Sequence, residues 1–378
     1  MTSSFRLGRV AGVEVGANWS VLIVLALIAW LLAAGRLPAG YPGRPAWAYA
    51  VAGILAAVVF LLGLLAHEAS HAVFARRNGL DVEGITLWVF GGVARLRGEP
   101  STPGAEARIA GAGPAVSLLI GLVFAAVAAV LAAAGRPGLV LGTARWLAGI
   151  NLLLAAFNLF PAAPLDGGRL LRAGLWKWRG DRVWATVAAA RTGQAFGVAL
   201  IAFGLGQMLL GAAIGGLWLL LIGWFIVSAA AGEQRQARLG SALAGIRVAD
   251  VMTPDPVTVP AGLTVADFVD HRLREARHST LPLVDGAGPA GLITLARIER
   301  VPQSQRASTT LRAAACPMSE VPVAGPDDAI VDLIPRLSGS TDRRALVVDD
   351  GRLVGVVSPR DVQRVVRCAV LRRPAARG

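Results

Sequence analysis

Apolar stretches near residues 18–34, 46–74, 109–134, 144–161, 193–213 and 215–232 are each of a length that suits a membrane-crossing helix, the fourth being the shortest at its apolar core. Lipid offers no hydrogen-bond partners, so such a chain has helices as its natural solution. The second stretch carries a charged interruption, His67-Glu68-Ala69-Ser70-His71, set between Leu61-Leu62-Gly63-Leu64-Leu65-Ala66 and Ala72-Val73-Phe74. A glutamate at bilayer depth costs roughly 2.5–3.5 kcal/mol on insertion scales, which marks an ionisable cluster there as a functional site with a partner. On a helix the i and i+4 positions share a face, so both imidazoles can grip one zinc ion while Glu68, one residue round, reaches a water on the metal. The same pattern also suits a buried, hydrogen-bonded His pair or a zinc that only ties helices together, and a third ligand separates these readings.

Hydrophobic residues make up 55% of the 378, but the last third is far more polar, which implies two domains. The net charge of +13 raises the question of nucleic acid, but the basic residues are spread along the chain and not gathered on one element, which excludes that partner. Sorted by loop, Arg6, Arg9, Arg76, Arg77, Arg95, Arg97, Arg108, Arg169, Arg172, Lys177, Arg179, Arg182, Arg191, Arg235 and Arg238 fall on one side. Only Arg36, Arg44, Arg136 and Arg145 fall on the other. The positive-inside rule then predicts a multi-pass plasma-membrane protein with both termini and the polar module cytoplasmic, and the HExxH motif toward the cytoplasmic end of its helix. Arg6 and Arg9 ahead of Trp19–Leu32 and Ala33-Ala34-Gly35 also fit a signal peptide, but an uncleaved first span is preferred, since five further spans follow and no exported soluble domain does. Cys316 and Cys368 both lie in the polar part, where reduced thiols are expected.

The fourth span ends in Asn158-Leu159-Phe160-Pro161-Ala162-Ala163-Pro164-Leu165-Asp166-Gly167-Gly168-Arg169. An apolar helix that breaks at two prolines and presents one aspartate beside two glycines can carry a carboxylate back toward the membrane interior. Asp166 is therefore the expected third ligand. Glu106 before the third span and Glu233 after the sixth are the competitors. Two histidines and a carboxylate leave the fourth tetrahedral position to water, the open arrangement of a catalytic site, with Glu68 as the base that takes a proton and returns it to a leaving amine.

His67-Glu68-x-x-His71, the Asn158–Gly168 segment with its Leu-Asp-Gly, and Ala110-Gly111-Ala112-Gly113-Pro114 together resemble the site-2 protease family of intramembrane zinc metalloproteases over roughly residues 1–232. The resemblance implies one Zn²⁺ per chain held by His67, His71 and Asp166, with Glu68 as general base. It also implies Asn158 beside the metal as an oxyanion donor, although a helix–helix hydrogen bond is an equal reading of that residue. Its implied partners are membrane lipid and a transmembrane substrate such as an anti-sigma factor or another single-span protein. Between the second and third spans, Ile85–Leu96 reads as a short hairpin around Gly91-Gly92, either a strand edge for β-augmentation of substrate or an interfacial hairpin anchored by Trp88 and Phe90. Gly113-Pro114 reads as a helix start with close packing, without chemistry. Gly204, Gly206, Gly211, Gly215 and Gly216 read either as a pliable gate or as small-residue packing.

Beyond Glu233-Gln234-Arg235-Gln236 the chain repeats itself at a spacing of 64 residues: Thr280–Asp285 aligns with Arg344–Asp349, and Gly291–Thr294 with Gly355–Ser358. Each copy reads as strand, helix, strand, turn, strand, helix, with Val251-Met252-Thr253-Pro254 opening the first. This resembles a pair of cystathionine-β-synthase-type (CBS) domains, which implies an adenine nucleotide held through a G-h-h-[ST]-x-x-D turn, or a homodimerisation plate that binds nothing. The second copy keeps the turn with Ser358 and Asp361; the first keeps Thr294 but has Arg297 in place of the aspartate. His271 and His278 lack a metal spacing and read as surface residues.

The expected architecture is a polytopic α-helical membrane domain of six transmembrane helices with a short β-hairpin after the second, plus an α/β cytoplasmic tandem CBS module. Its expected segments are the metalloprotease domain 1–232, a linker 233–244, CBS repeats at 245–302 and 309–370, and a basic tail 371–378. The expected activity is intramembrane zinc-dependent hydrolysis of a peptide bond within or near a substrate's transmembrane helix, as in regulated intramembrane proteolysis, with the CBS pair regulatory. The alternatives are a CBS-regulated transporter and a non-catalytic scaffold with structural zinc. The first would line several spans with polar residues, whereas here they gather on the second and fourth; the second would lack Glu68.

Overall fold

A computed structural model describes residues 5–10, 12–88, 91–272, 279–286 and 288–371. The chain forms two compact units, Met1–Ala237 and Arg238–Gly378.

In the first unit the helices long and apolar enough to cross a membrane are α1 (Ser20–Gly40), α2 (Ala46–Arg77), α3 (Pro103–Ala133), α4 (Leu139–Leu159), α6 (Arg182–Leu209) and α7 (Ala213–Leu243). The amphipathic α5 (Asp166–Arg179) lies between α4 and α6. Leu22, Ile23, Leu27, Trp30, Leu119, Val130 and Leu153 are all at least half exposed, an apolar surface that suits lipid and would be penalised in water. The chain is a multi-pass membrane protein. α6 and α7 approach at backbone distance: a Cβ on Gly197 or on Gly204 would stand 2.7 Å from the carbonyl oxygen of Gly223 or Gly216 respectively. Gly204 and Gly216 thus serve close helix packing, Gly211 makes the turn between the two helices at φ +89°, and Gly206 has open space beside it.

The hairpin after the second span is present, and it is part of a larger sheet. β1 (Phe5–Val10), β2 (Val13–Ala17), β3 (Asp81–Trp88) and β4 (Gly91–Arg97) lie in that order, with β2 and β3 parallel and the outer pairs antiparallel. Val13, Val15 and Ala17 alternate onto one buried face and pack with Ile85, Leu87 and Ala72, which explains why the N-terminal segment joins the sheet. β4 occupies one edge. Val89 and Phe90, the latter an expected interfacial anchor, lie outside the described residues, as does His278 of the second unit.

The second unit has the strand pattern of a tandem pair. A three-stranded sheet orders β6 (Val259–Pro260), β7 (Thr280–Asp285) and β8 (Gly288–Thr294). A four-stranded sheet orders β5 (Thr253–Pro254), β11 (Arg352–Val357), β10 (Ala345–Asp349) and β9 (Val323–Ala324). In each, a short strand runs parallel to the strand that opens an antiparallel pair. The packing crosses the linear division of the repeats. Val248 and Val251 are buried with Ile330, Leu333, Val347 and Val357, and Thr253 of β5 pairs with Val356 of β11. The segment expected to open the first repeat therefore builds the core of the second. Conversely Leu311, fully buried, packs with Val265, Phe268, Leu283 and Ile293 of the first. An Ala at position 311 should accordingly destabilise the first repeat's core by about 2–5 kcal/mol. Urea unfolding of residues 238–378 measures this, and a change below about 0.5 kcal/mol, as at surface positions, would place Leu311 outside that core.

Candidate metal centre

The apolar course of α2 is interrupted at its last third, where His67 and His71, 3% and 6% exposed, project one turn apart from the same face. Their Nε2 atoms are 3.2 Å apart. α4 stops at Leu159, the chain turns through Pro161-Ala162-Ala163-Pro164, and α5 begins at Asp166. That turn returns the carboxylate to α2: Asp166 Oδ2 lies 3.3 Å from His67 Nε2 and 3.2 Å from His71 Nε2. As the first residue of α5, Asp166 also sits at the positive end of that helix.

Helix α3 supplies the outer contacts. His71 Nδ1 donates to the Ile109 carbonyl at 2.7 Å. A carbonyl only accepts, so Nδ1 carries the proton and Nε2 presents a lone pair to the cluster. His67 Nδ1 is 2.9 Å from Ser117 Oγ, a hydroxyl wholly buried in the spanning part of α3. Gly113 lies between these two residues on α3, and a Cβ there would collide with Nε2 of both histidines. Any side chain at position 113 would thus occupy the space at which the three donor atoms point.

Two imidazole lone pairs and a carboxylate oxygen in mutual contact favour a cation among them. Zinc bonds of about 2.0–2.1 Å to nitrogen and oxygen set tetrahedral donor–donor edges of roughly 3.3–3.4 Å. The observed separations of 3.2–3.3 Å fit that ion. Among the described residues, these three form the one group of His, Cys, Asp or Glu placed to share a metal.

Glu68 follows His67 on α2, and its side chain lies against Gly92 of the edge strand β4, whose backbone hydrogen-bonds its carboxylate. The competing glutamates are engaged elsewhere. Arg172 of α5 donates to the fully buried Glu106 of α3 through Nε at 2.6 Å and through Nη2, and to Glu233 of α7 through Nη1 at 2.8 Å. This clamp fixes the helix carrying Asp166 to the helix carrying Gly113 and Ser117. Asn158 donates its amide to Leu154 O, one turn back on its own helix, at 3.0 Å. The more deeply buried Asn151 faces α2 at Gly63, a residue the sequence did not single out.

In the second unit, Ser358 Oγ donates to Asp361 Oδ2 at 2.6 Å, and Thr253 Oγ1 donates to Asp361 Oδ1 at 3.4 Å. These residues, with Ser279, Thr280, Arg344 and Arg360, line a cavity of about 420 Å³. Burial pulls the Arg344 guanidinium down from its ordinary value, so its cation gains from an anionic ligand. Thr294 is not part of this cavity; its hydroxyl caps the short helix α8 (Leu295–Glu299), accepting from Arg297 N–H. Arg297 is itself paired with Asp342 at 3.2 Å, both largely buried.

A helical membrane unit that brings two histidines and an aspartate together has the donor set of a membrane metalloprotease, and here it is followed by a tandem α/β module. The family model described as peptidase family M50 matches residues 55–135 and 133–203, and the CBS domain model matches 248–303 and 313–367. "Putative zinc metalloprotease Rip3" of Mycobacterium tuberculosis is 45% identical over 376 residues, covering 99% of this chain and 95% of that protein. "Zinc metalloprotease MJ0392" of Methanocaldococcus jannaschii is 29% identical over 371 residues, 97% of each chain. The solved site-2 protease from Methanocaldococcus jannaschii, at 29% identity, covers 61% of this chain and 95% of its own with a TM-score of 0.42. The chain belongs to peptidase family M50, the site-2 proteases, and carries a tandem pair of CBS domains.

Substituting Gly113→Ala should abolish stoichiometric zinc without unfolding the helices, because one methyl group fills the space between the imidazoles. Asp166→Ala should lower zinc content as well. Metal analysis of the purified variants beside circular dichroism tests both, and full zinc in either would remove that residue from the metal's surroundings.

Proposed function

We propose that this chain hydrolyses a peptide bond within or near the transmembrane helix of a membrane protein, with His67, His71 and Asp166 holding zinc and Glu68 acting as general base. The observation that supports it best is the meeting of three donor atoms from α2 and α5 within 3.3 Å of one another, beside a glutamate on the next residue of α2. Bound zinc supplies Lewis acidity and lowers the pKa of water to about 7. Glu68 takes the proton from the attacking water and delivers it to the leaving amine. Its position against β4 leaves that carboxylate facing the place where an extended peptide would lie.

A transmembrane helix hides its peptide bonds in its own hydrogen bonds, so cleavage requires an unwound segment. The edge strand β4 is where such a segment would be received, by adding a strand whose backbone lies next to Glu68 at Gly92. Single-span signalling proteins, anti-sigma factors among them, are the substrate class this suits, in the manner of regulated intramembrane proteolysis. The excess of arginine in the loops at one end of the spans supports a plasma-membrane orientation with the site toward the cytoplasm and the CBS pair within it. Asn158, with its amide turned to Leu154, would need to rotate to serve as an oxyanion donor.

For the module, the cavity at Ser358 and Asp361 is the proposed adenine-nucleotide site. In the first repeat a cation paired with Asp342 stands where the ribose-binding carboxylate would be, which favours one ligand per chain. A homodimer through the CBS pair is compatible with this arrangement.

Glu68→Gln should keep its zinc and lose about 10²–10⁴-fold in cleavage of a cognate substrate, the contribution of a positioned general base. Comparison of membrane proteins in cells carrying the active enzyme and in cells carrying the Glu68→Gln variant identifies that substrate, and unchanged cleavage would discard the mechanism. Calorimetry of residues 238–378 with ATP, AMP and S-adenosylmethionine should show one site, lost in Asp361→Ala. The absence of heat with all of them would reduce the module to an assembly surface.

A further inference from the structure

At the end of α2 remote from His67, the end of α1 and the loops 41–45 and 134–138 carry Arg36, Arg44 and Arg136 respectively, and the sequence has no acidic residue between Glu14 and Glu68 or between Glu106 and Asp166. Arg44 and Arg136 are both exposed and line one cavity of about 500 Å³, together with Trp47, Leu131, Leu139 and Val140. Among the described residues neither arginine has an ion-pair partner. Trp47, Ala48, Leu139 and Val140 also belong to a second cavity of about 390 Å³, which continues along the helices between Val51, Leu55, Phe124 and Leu147 and is almost wholly apolar. The two cavities therefore form one funnel, with cations at its mouth and hydrocarbon in its stem.

Its dimensions limit what can fill it. From Trp47 to Leu55 on α2, and from Leu139 to Leu147 on α4, the stem runs eight residues, or about 12 Å at 1.5 Å per residue. That is most of one leaflet, half of a hydrocarbon core about 30 Å thick. A partner's spanning helix would need a contact face crossing both leaflets, whereas an acyl chain needs only one. Exposed Trp47 at the junction is the kind of ring that settles at headgroup level. We propose that this funnel is a binding site for an anionic phospholipid, its phosphate held by Arg44 and Arg136 and one acyl chain lying along Val51, Leu55, Phe124 and Leu147. Twenty residues of α2, about 30 Å, separate Trp47 from His67, so the lipid occupies the opposite leaflet from the metal centre. Its effect is to fill the seam where α2, α3 and α4 meet and to neutralise a face that otherwise has only positive charge.

The test uses the full chain, delipidated in an uncharged detergent, with phosphatidylglycerol as probe and phosphatidylcholine and inorganic phosphate as comparisons. Phosphatidylglycerol should be retained on native mass spectrometry and raise the thermal midpoint, and the other two should do neither. The double variant Arg44→Gln/Arg136→Gln should weaken that retention about thirty-fold, the factor two interfacial arginines contribute. Val51→Trp, which fills the stem and leaves both arginines in place, should weaken it as well. Equal retention by the double variant, or equal protection by inorganic phosphate, overturns the proposal. So does a photo-crosslinker at position 55 that captures a membrane protein in place of lipid.

Discussion

Three electron-rich atoms in contact inside a membrane are unstable company, and the first unit is built around holding them there. His67 Nε2, His71 Nε2 and Asp166 Oδ2 are mutually within 3.3 Å, where lone pairs repel unless a cation lies between them. The neighbouring helix α3 supplies no metal ligand, yet it determines the site. Its Ile109 carbonyl fixes the tautomer of His71, its Ser117 hydroxyl meets His67, and its Gly113 leaves open the space beside both Nε2 atoms. α3 must approach α2 at backbone distance to do so, which makes the glycine a requirement of the site and not merely of packing.

The same logic extends to the helix that carries the aspartate. α5 begins at Asp166 and has Arg172 less than two turns later. Burying a carboxylate as deeply as Glu106 is costly unless a cation and hydrogen bonds accompany it. Arg172 meets that need and in return fixes α5 against α3, while Glu233 adds α7 on the other side of the guanidinium. One amphipathic helix thereby couples the carboxylate that meets His67 and His71 at its start to a charge clamp within its own length. The outer oxygen of Glu106 has no hydrogen-bond partner among the described residues, so the clamp is held by one carboxylate oxygen on each side.

The parts of this arrangement visible in the sequence are those whose chemistry is unusual for their surroundings. His67, Glu68 and His71 stand out because they are polar in an apolar run, and Asp166 because two prolines break the helix ahead of it. Ile109 acts through a carbonyl that every residue possesses, so no residue type could reveal it. Ser117 had a weak signal as a lone hydroxyl between Val116 and Leu118, and Gly113 was legible as a close approach, but Gly113-Pro114 lies ten residues inside α3 and does not start it. The N-terminal strands escaped notice although β1 and β2 form a hairpin that turns at Gly12 with φ +77°, because Arg6 and Arg9 read as the lead-in to the first span; the parallel pairing of β2 with β3, about seventy residues on, has no local signal. Arg297 in place of an aspartate was readable, whereas its partner Asp342 lies forty-five residues away and emerges only from the packing.

The exchange of opening segments within the CBS pair bears on how a ligand would act there. β5, from the start of the module, is paired into the second repeat's sheet, and it brings Thr253 to Asp361. The cavity is consequently lined from both repeats, by Ser279 and Thr280 of the first and Arg344, Ser358 and Asp361 of the second. A ligand held there would touch both cores at once and so favour whichever mutual arrangement closes the cavity. At the corresponding turn of the first repeat, Arg297 and Asp342 pair with each other across the two repeats. Arg297 and Asp342 thus bridge the two repeats at one turn, while Ser358 and Asp361 line an open cavity at the other, an asymmetry written into two copies of the same sequence pattern.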